Sequence, residues 1–238
     1  MKFQLLAALP FVALIACTPK AEAPGETAPV AEEAAVTAAS LPTCADAEAT
    51  SGGQLPQLTS CRLELGDGRN VVVGSTQMTD GEGTLRAELT GADGASLQVI
   101  EEAATGFYNY PFLEDLTGDG AADLMLPQLS GMVNISYALW IQGADGLFSR
   151  AGELGGFDIT LGSDGLIAAS GRSSAFEWET SYYSVENGAL KEIAVVVTRA
   201  DPEEGEPASD RPACEVIRSA DGVDIAPFCQ PAADAPTE

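Results

Sequence analysis

The chain has 238 residues, with 11 lysines and arginines against 36 aspartates and glutamates, no histidine and a net charge of -25. Such a field repels nucleic acid and anionic lipid, attracts cations and basic proteins, and also serves solubility. Without an imidazole, Ser-His-Asp and Cys-His machinery and histidine metal sites are excluded. Paired carboxylates suit a glycosidase, but among so many acids no pair stands out, so no enzyme activity is expected.

In chain order, Lys2 precedes an apolar run from Phe3 to Ala16. The run is too short to cross a bilayer as a helix and has the length of a signal-peptide core. It ends in Leu14-Ile15-Ala16-Cys17, which resembles the lipobox of bacterial lipoproteins, where small residues admit the peptidase and the cysteine thiol takes up a diacylglyceryl group. The resemblance implies removal of residues 1–16 and lipidation of Cys17. Thr18, standing where an Asp would retain the chain, implies an outer-membrane lipoprotein facing the periplasm in bacteria with two membranes. Acyl chains contribute about 0.8 kcal/mol per buried methylene, so a multiply acylated cysteine anchors without any spanning segment. From Thr18 to about Ser40 the chain is Ala, Pro, Glu and Thr without aromatics. That composition buries too little apolar surface to offset ordering entropy and reads as a disordered tether over 17–40.

About 190 residues remain, the size of one domain, here 41–230, before a short tail over 231–238. Beyond Cys17 the cysteines are Cys44, Cys61, Cys214 and Cys229, an even set that predicts two disulfides in an oxidising compartment. Three pairings are open; Cys44–Cys61 with Cys214–Cys229 is favoured because each closes a short loop near one end of the domain. Wide spacings and the lack of histidine argue against zinc.

From Ser60, short segments rich in β-branched and aromatic residues alternate with Gly, Asp and Asn turn signals. Predicted strands run over Cys61 to Leu65, Asn70 to Gln77, Gly83 to Thr90 and Ser96 to Glu101, with turns at Asp67-Gly68, Asp80-Gly81 and Asp93-Gly94. Further on, Asp145-Gly146 joins Ser136–Gln142 to Leu147–Arg150, Asp164-Gly165 precedes Leu166–Ser170, and Asn187-Gly188 joins Glu177–Val185 to Leu190–Val197. Asp-Gly and Asn-Gly between apolar runs are hairpin signals. Ala200 to Pro212 has no periodicity and predicts an exposed acidic loop, and Glu215 to Ser219 a last strand. The expected fold class is all-β, an antiparallel hairpin meander, with a small β-propeller favoured and a β-sandwich or barrel as the alternative.

Between these runs lies Asp115-Leu-Thr-Gly-Asp-Gly-Ala-Ala-Asp123-Leu124, with oxygen donors at alternate positions of a Gly-containing loop. A hard cation such as Ca²⁺ takes six to eight oxygens at about 2.3–2.6 Å, which here would come from Asp115, Thr117, Asp119, the main-chain carbonyl of Ala121, and Asp123. The alternative is an Asp-Gly-rich turn that binds nothing. No glutamate stands at the twelfth position and a strand-like Asp123-Leu-Met-Leu follows, so the loop is not an EF-hand. It resembles the calcium loops of FG-GAP and VCBS-type repeats, Asp-x-Asn-Gly-Asp-Gly-x-x-Asp-Leu, departing from them at Thr117.

The order that follows is Tyr137-Ala-Leu-Trp140, Asp145-Gly-Leu-Phe148, Glu153-Leu154, Phe157-Asp158, and Ile167 through Ser174 to Trp178 and Tyr182-Tyr183. Together with the loop it resembles periplasmic lipoproteins of xanthomonads and relatives that have one such loop in a small β-propeller and inhibit peptidoglycan-cleaving glycoside hydrolases. The likeness spans roughly Phe112 to Val197. It implies an immunity-like inhibitor of a cell-wall hydrolase, and basic enzymes of that kind would be captured faster by an acidic surface. A structural envelope lipoprotein is the rival expectation. The candidate contact loop is Ser170, Gly171, Arg172, Ser173, Ser174, Ala175 and Phe176, in which an arginine and an exposed-looking aromatic stand among small polar residues. Its alternative is an ordinary hairpin turn with Phe176 in the core.

Overall fold

The computed structural model describes residues 40–50, 60–79, 82–105, 109–130, 133–200 and 212–229. The signal segment, Cys17, the tether, the Asp80-Gly81 turn, residues 201–211 of the acidic loop and the tail at 231–238 lie outside these residues.

Among the described residues, thirteen strands form three successive antiparallel meanders. The first is β1 (Cys61–Glu64), β2 (Asn70–Thr79), β3 (Glu82–Thr90) and β4 (Ser96–Thr105). The second is β5 (Phe112–Glu114), β6 (Asp123–Ser130), β7 (Ile135–Gln142) and β8 (Phe148–Gly156). The third is β9 (Asp158–Leu161), β10 (Ile167–Arg172), β11 (Glu177–Glu186), β12 (Ala189–Arg199) and β13 (Cys214–Ser219). The first two share one sheet, ordered β1-β2-β3-β4-β6-β7-β8 with β5 on β6, joined at the parallel pair Thr105↔Leu129. The third is a separate sheet, β13-β12-β11-β10-β9. This is the all-β meander expected from sequence; its packed sheets match the sandwich alternative and do not close into a barrel, while the first two meanders have the four strands of a propeller blade.

The second meander is the middle layer, and its strands show it. On β6 and β7, Leu124, Leu126 and Ala138 join one core with Val71, Val73, Leu85, Leu89 and Ile100 of the first meander. Their neighbours Met125, Tyr137 and Leu139 join a second core with Leu154, Ile159, Ile167 and Ala169. Strands buried on both faces must be apolar at successive positions, hence Leu-Met-Leu and Tyr-Ala-Leu-Trp. Each fully buried leucine or methionine among them contributes roughly 1.5–3 kcal/mol. By contrast, β4 alternates: Ile100, Glu102 and Ala104 point inward, and Val99, Glu101 and Ala103 outward.

A single backbone pair does not hold the first two meanders together. The carboxylate of Glu102, 7% exposed, accepts hydrogen bonds from Gln128 Nε2 on β6 (2.9 Å), Trp140 Nε1 on β7 (2.8 Å) and Arg150 Nε on β8 (2.7 Å). The same contact holds the Arg150 guanidinium above its ordinary pKa, with Glu153 adding to it. Gln98 then grips the main chain of Phe148 with both halves of its amide, at 2.7 and 2.8 Å. Arg69 Nη1 donates to the Gly146 carbonyl at 2.6 Å. Buried polar groups of this kind are tolerated because each is satisfied.

Cys44–Cys61 and Cys214–Cys229 are both bonded. The first ties β1 to α1 (Cys44–Thr50), a helix absent from the predicted elements although Thr43-Cys-Ala-Asp46 is a capping pattern: Thr43 Oγ1 accepts the Asp46 N–H at 3.1 Å. The second ties β13 to the 3-10 turn Ala226–Cys229, whose Phe228 ring lies 4.8 Å from that of Tyr182. The short strands β5 and β9 were also not predicted. Several strands run further than predicted: β4 to Thr105, β8 to Gly156 and β10 to Arg172. In each case pairing across the sheet carries residues of weak β-propensity, such as Ala and Gly.

Candidate functional site

The β5–β6 connection, 115–122, is built around two carboxylates. Pairing of Glu114 with Asp123 brings the loop's ends together. Asp115 then accepts the main-chain N–H groups of Gly118 (2.7 Å), Asp119 (3.2 Å) and Gly120 (2.9 Å). Asp123, fully buried, accepts those of Leu116 and Thr117, both at 3.1 Å, on one oxygen and that of Gln142 at 3.2 Å on the other. Burial pushes the Asp123 carboxyl above its ordinary pKa, against the pull of those three donors and of the Thr117 hydroxyl beside it. Gly118 and Gly120 take φ of +72° and +87°, where a Cβ is strained, and a Cβ on Gly118 would sit 3.1 Å from Leu161 Cδ2.

As a cation site the donor set is chemically suitable, being oxygen throughout. Thr117 Oγ1 is buried at the third loop position beside the Asp123 carboxylate, with no hydrogen bond of good geometry among the described residues. Asp119 is exposed, and one of its oxygens caps the Ala121 N–H at 2.8 Å. Among the described residues, however, no three acidic or cysteine side chains converge as a ligand group. The loop thus brings Asp115 and Asp123 into one hydrogen-bonded frame with Thr117 between them, and leaves Asp119 on the outer turn.

The same end of the stack carries the Asp-Gly turns. At Asp67, Asp93, Asp145 and Asp164 the carboxylate accepts the N–H two residues on, at 3.0, 3.0, 3.0 and 3.1 Å, and the following glycine has positive φ. Each is a three-residue hairpin loop with a left-handed third residue. The acidic charge of this rim is in the first place turn chemistry. Asp67 is held below its ordinary pKa by the Arg69 main-chain N–H and then by the Arg69 side chain.

The candidate contact loop lies at the opposite end of β10. Ser170, Gly171 and Arg172 are strand residues, paired with Thr180, Glu179 and Trp178, which corrects the reading of them as loop. The tip is Ser173 to Phe176. Asn134 clamps it, receiving the Arg172 N–H at 2.8 Å and donating to the Arg172 carbonyl at 2.9 Å. The Arg172 guanidinium folds over the tip, donating to the carbonyls of Ser174 (3.1 Å) and Ala175 (2.9 Å), with its centre 5.7 Å from the Trp178 ring. Phe176 is 59% exposed, so it stands outside the core, and Val133 is exposed near the same tip. Asn134 and Val133 were missed by sequence reasoning, because they arrive from the β6–β7 connection 38 residues earlier in the case of the Asn134–Arg172 bond.

No protein-family model matches the chain, and no curated protein matches it. Among solved structures, a Xanthomonas type IV secretion system related protein aligns over 61% of this chain and 85% of its own, at 13% identity and a TM-score of 0.39. Likeness at that level carries neither fold nor function. The two disulfides are compatible with a place outside the cytoplasm.

Proposed function

We propose that this chain is a lipoprotein held by lipid on Cys17 in the outer membrane, facing the periplasm, and that its domain binds and inhibits a basic peptidoglycan glycoside hydrolase. Phe176 carries this reading: a large aromatic side chain, 59% exposed, at the tip of a hairpin held by Asn134 and by its own Arg172. Rigid aromatic and arginine side chains are what binding hot spots are made of. The contact set is Ser170, Gly171, Arg172, Ser173, Ser174 and Phe176, with the first two positioning the rest. The acidic rim at the far end adds a field that draws in a basic enzyme.

The β5–β6 loop takes Ca²⁺ in this proposal, through Asp115, Thr117, Asp119, the Ala121 carbonyl and Asp123; the cation would supply rigidity, not chemistry. Mixing the full chain with a panel of lysozymes and following cell-wall lysis tests the inhibitor role. Slowed lysis by at least one enzyme is expected, and unchanged lysis throughout would sink it. One observation favours a second reading, a structural envelope role: the half-buried Asp115 and the buried Asp123 are already satisfied by main-chain donors, so the loop stiffens the fold by itself.

A further inference from the structure

Between the first two meanders a hollow of about 440 Å³ opens beside α1. Its volume falls within the roughly 300–1,000 Å³ of small-molecule sites. The walls come from Leu63 and Glu64 of β1, from Ala45 of α1, from Tyr137 of β7 and from the segment Asn109-Tyr-Pro-Phe-Leu113 that leads into and along β5. The hollow is separate from the β5–β6 loop and from the contact hairpin, neither of which contributes to its described lining.

These walls are set before any ligand arrives. Pro111 fixes its own φ and holds Tyr110 extended. Phe112 pairs with Met125 of β6 and meets the Tyr137 ring edge-on, with centres 5.3 Å apart. Cys44–Cys61 ties α1 to β1 on the other side. Two polar groups of the lining nevertheless lack partners. Tyr110 is 7% exposed, yet its hydroxyl makes no hydrogen bond among the described residues, and the half-buried Asn109 amide makes none either. A phenol so deeply buried is ordinarily paired, and here the hollow is where a partner reaches it. Glu64 is the one charged residue in the described lining, and Arg62 Nη1 already holds its carboxylate. The hollow is thus locally neutral in a chain of net charge -25, which keeps anions away, while a cation meets a carboxylate that has its counter-ion.

We infer that this hollow is a binding site for a neutral saccharide. The Asn109 amide presents an acceptor oxygen beside an N–H₂ donor, which matches two neighbouring sugar hydroxyls, each able to donate and accept. The Tyr110 hydroxyl takes a third. Leu63, Pro111, Phe112 and Leu113 supply the apolar side against which the C–H face of a sugar ring leaves water. The site does not depend on the inhibitor role, because no residue of the contact hairpin takes part in it.

Titration calorimetry of the full chain with glucose, N-acetylglucosamine and the N-acetylglucosamine trimer, with no hydrolase present, tests the site. Saturable binding of at least one is expected, the trimer binding more tightly than the monomer for a glycan strand and no more tightly for a free sugar. Tyr110→Phe, which removes one oxygen and keeps the ring, should weaken binding about tenfold, and Asn109→Ala by at least as much. Should Asn109→Ala fail to fold, Tyr110→Phe carries the test alone. No saturable binding of any of the three sugars, or equal binding by the wild-type chain and Tyr110→Phe, would overturn the site. Tighter binding of cadaverine, inorganic phosphate or trialanine than of the sugars would overturn the saccharide, in favour of an amine, an anion or a peptide.

Discussion

The β5–β6 loop and the β10–β11 hairpin are tight connections at opposite ends of the stack, and they satisfy their main chains with opposite charge. In the first, Asp115 and Asp123 turn inward and gather six N–H groups between them. In the second, Arg172 turns back over the tip and gathers two carbonyls. A carboxylate held by several N–H donors at its centre makes a loop that is stiff and closed. A guanidinium laid across the outside makes a tip that is equally defined but still has donors facing solvent. One connection is therefore suited to hold the fold, and the other to meet a partner.

That contrast is open to test, beginning with the largest effect. Asp123→Ala leaves three N–H groups without their acceptor, the Leu116 and Thr117 donors among them, and should cost about 3 kcal/mol or more in urea unfolding. Next, calcium at 100 times its Kd should add about 2.7 kcal/mol, lost with chelator. Identical melting curves with and without calcium would remove the cation and leave the loop as a self-capped turn. Gly118→Ala comes third, at about 1–2 kcal/mol, because of its positive φ and the approach to Leu161; Gly120→Ala, with open space around it, should cost less.

At the other end, Arg172→Gln and Phe176→Ala should each move stability by no more than about 0.5 kcal/mol, being exposed, while reducing inhibition of lysis. A large loss of stability there would mean that the hairpin is structural after all. The smallest effect concerns Tyr182, whose phenol is raised above its ordinary pKa of 10.0 by burial and then by the Asp164 charge. A raised folded-state value means stability present below pH 10 and lost as pH climbs through it. The wild-type chain should therefore weaken relative to Tyr182→Phe only in alkali, and absorbance titration should show a late tyrosine that Tyr182→Phe removes.

Much of this molecule is local chemistry and so was legible in the sequence. Asp-Gly and Asn-Gly mark hairpins because an aspartate caps the N–H two residues on and glycine accepts positive φ; no distant residue is needed. The close cysteine pairs met for a similar reason, each closing a separation of 17 or 15 residues. The alternate oxygens of Asp115 to Asp123 marked a loop that folds on itself. Short elements escaped: β5 and β9 are three and four residues long and exist through their neighbours' hydrogen bonds.

What tertiary structure alone decided is where these local pieces face. Glu102 in isolation is a charged residue in an Ala-rich stretch; folded, it is buried because donors 26, 38 and 48 residues away converge on it. The separation of the acidic rim from the hairpin tip follows from the direction of β10. Glu177, next to the hairpin tip in sequence, is taken by Arg199 from β12, 22 residues further on. Hydrogen bonds within a turn depend on a few neighbouring dihedrals, which residue order determines. Pairing across strands depends on the packing of three meanders, and only the assembled layers choose which charges meet and which are left facing outward.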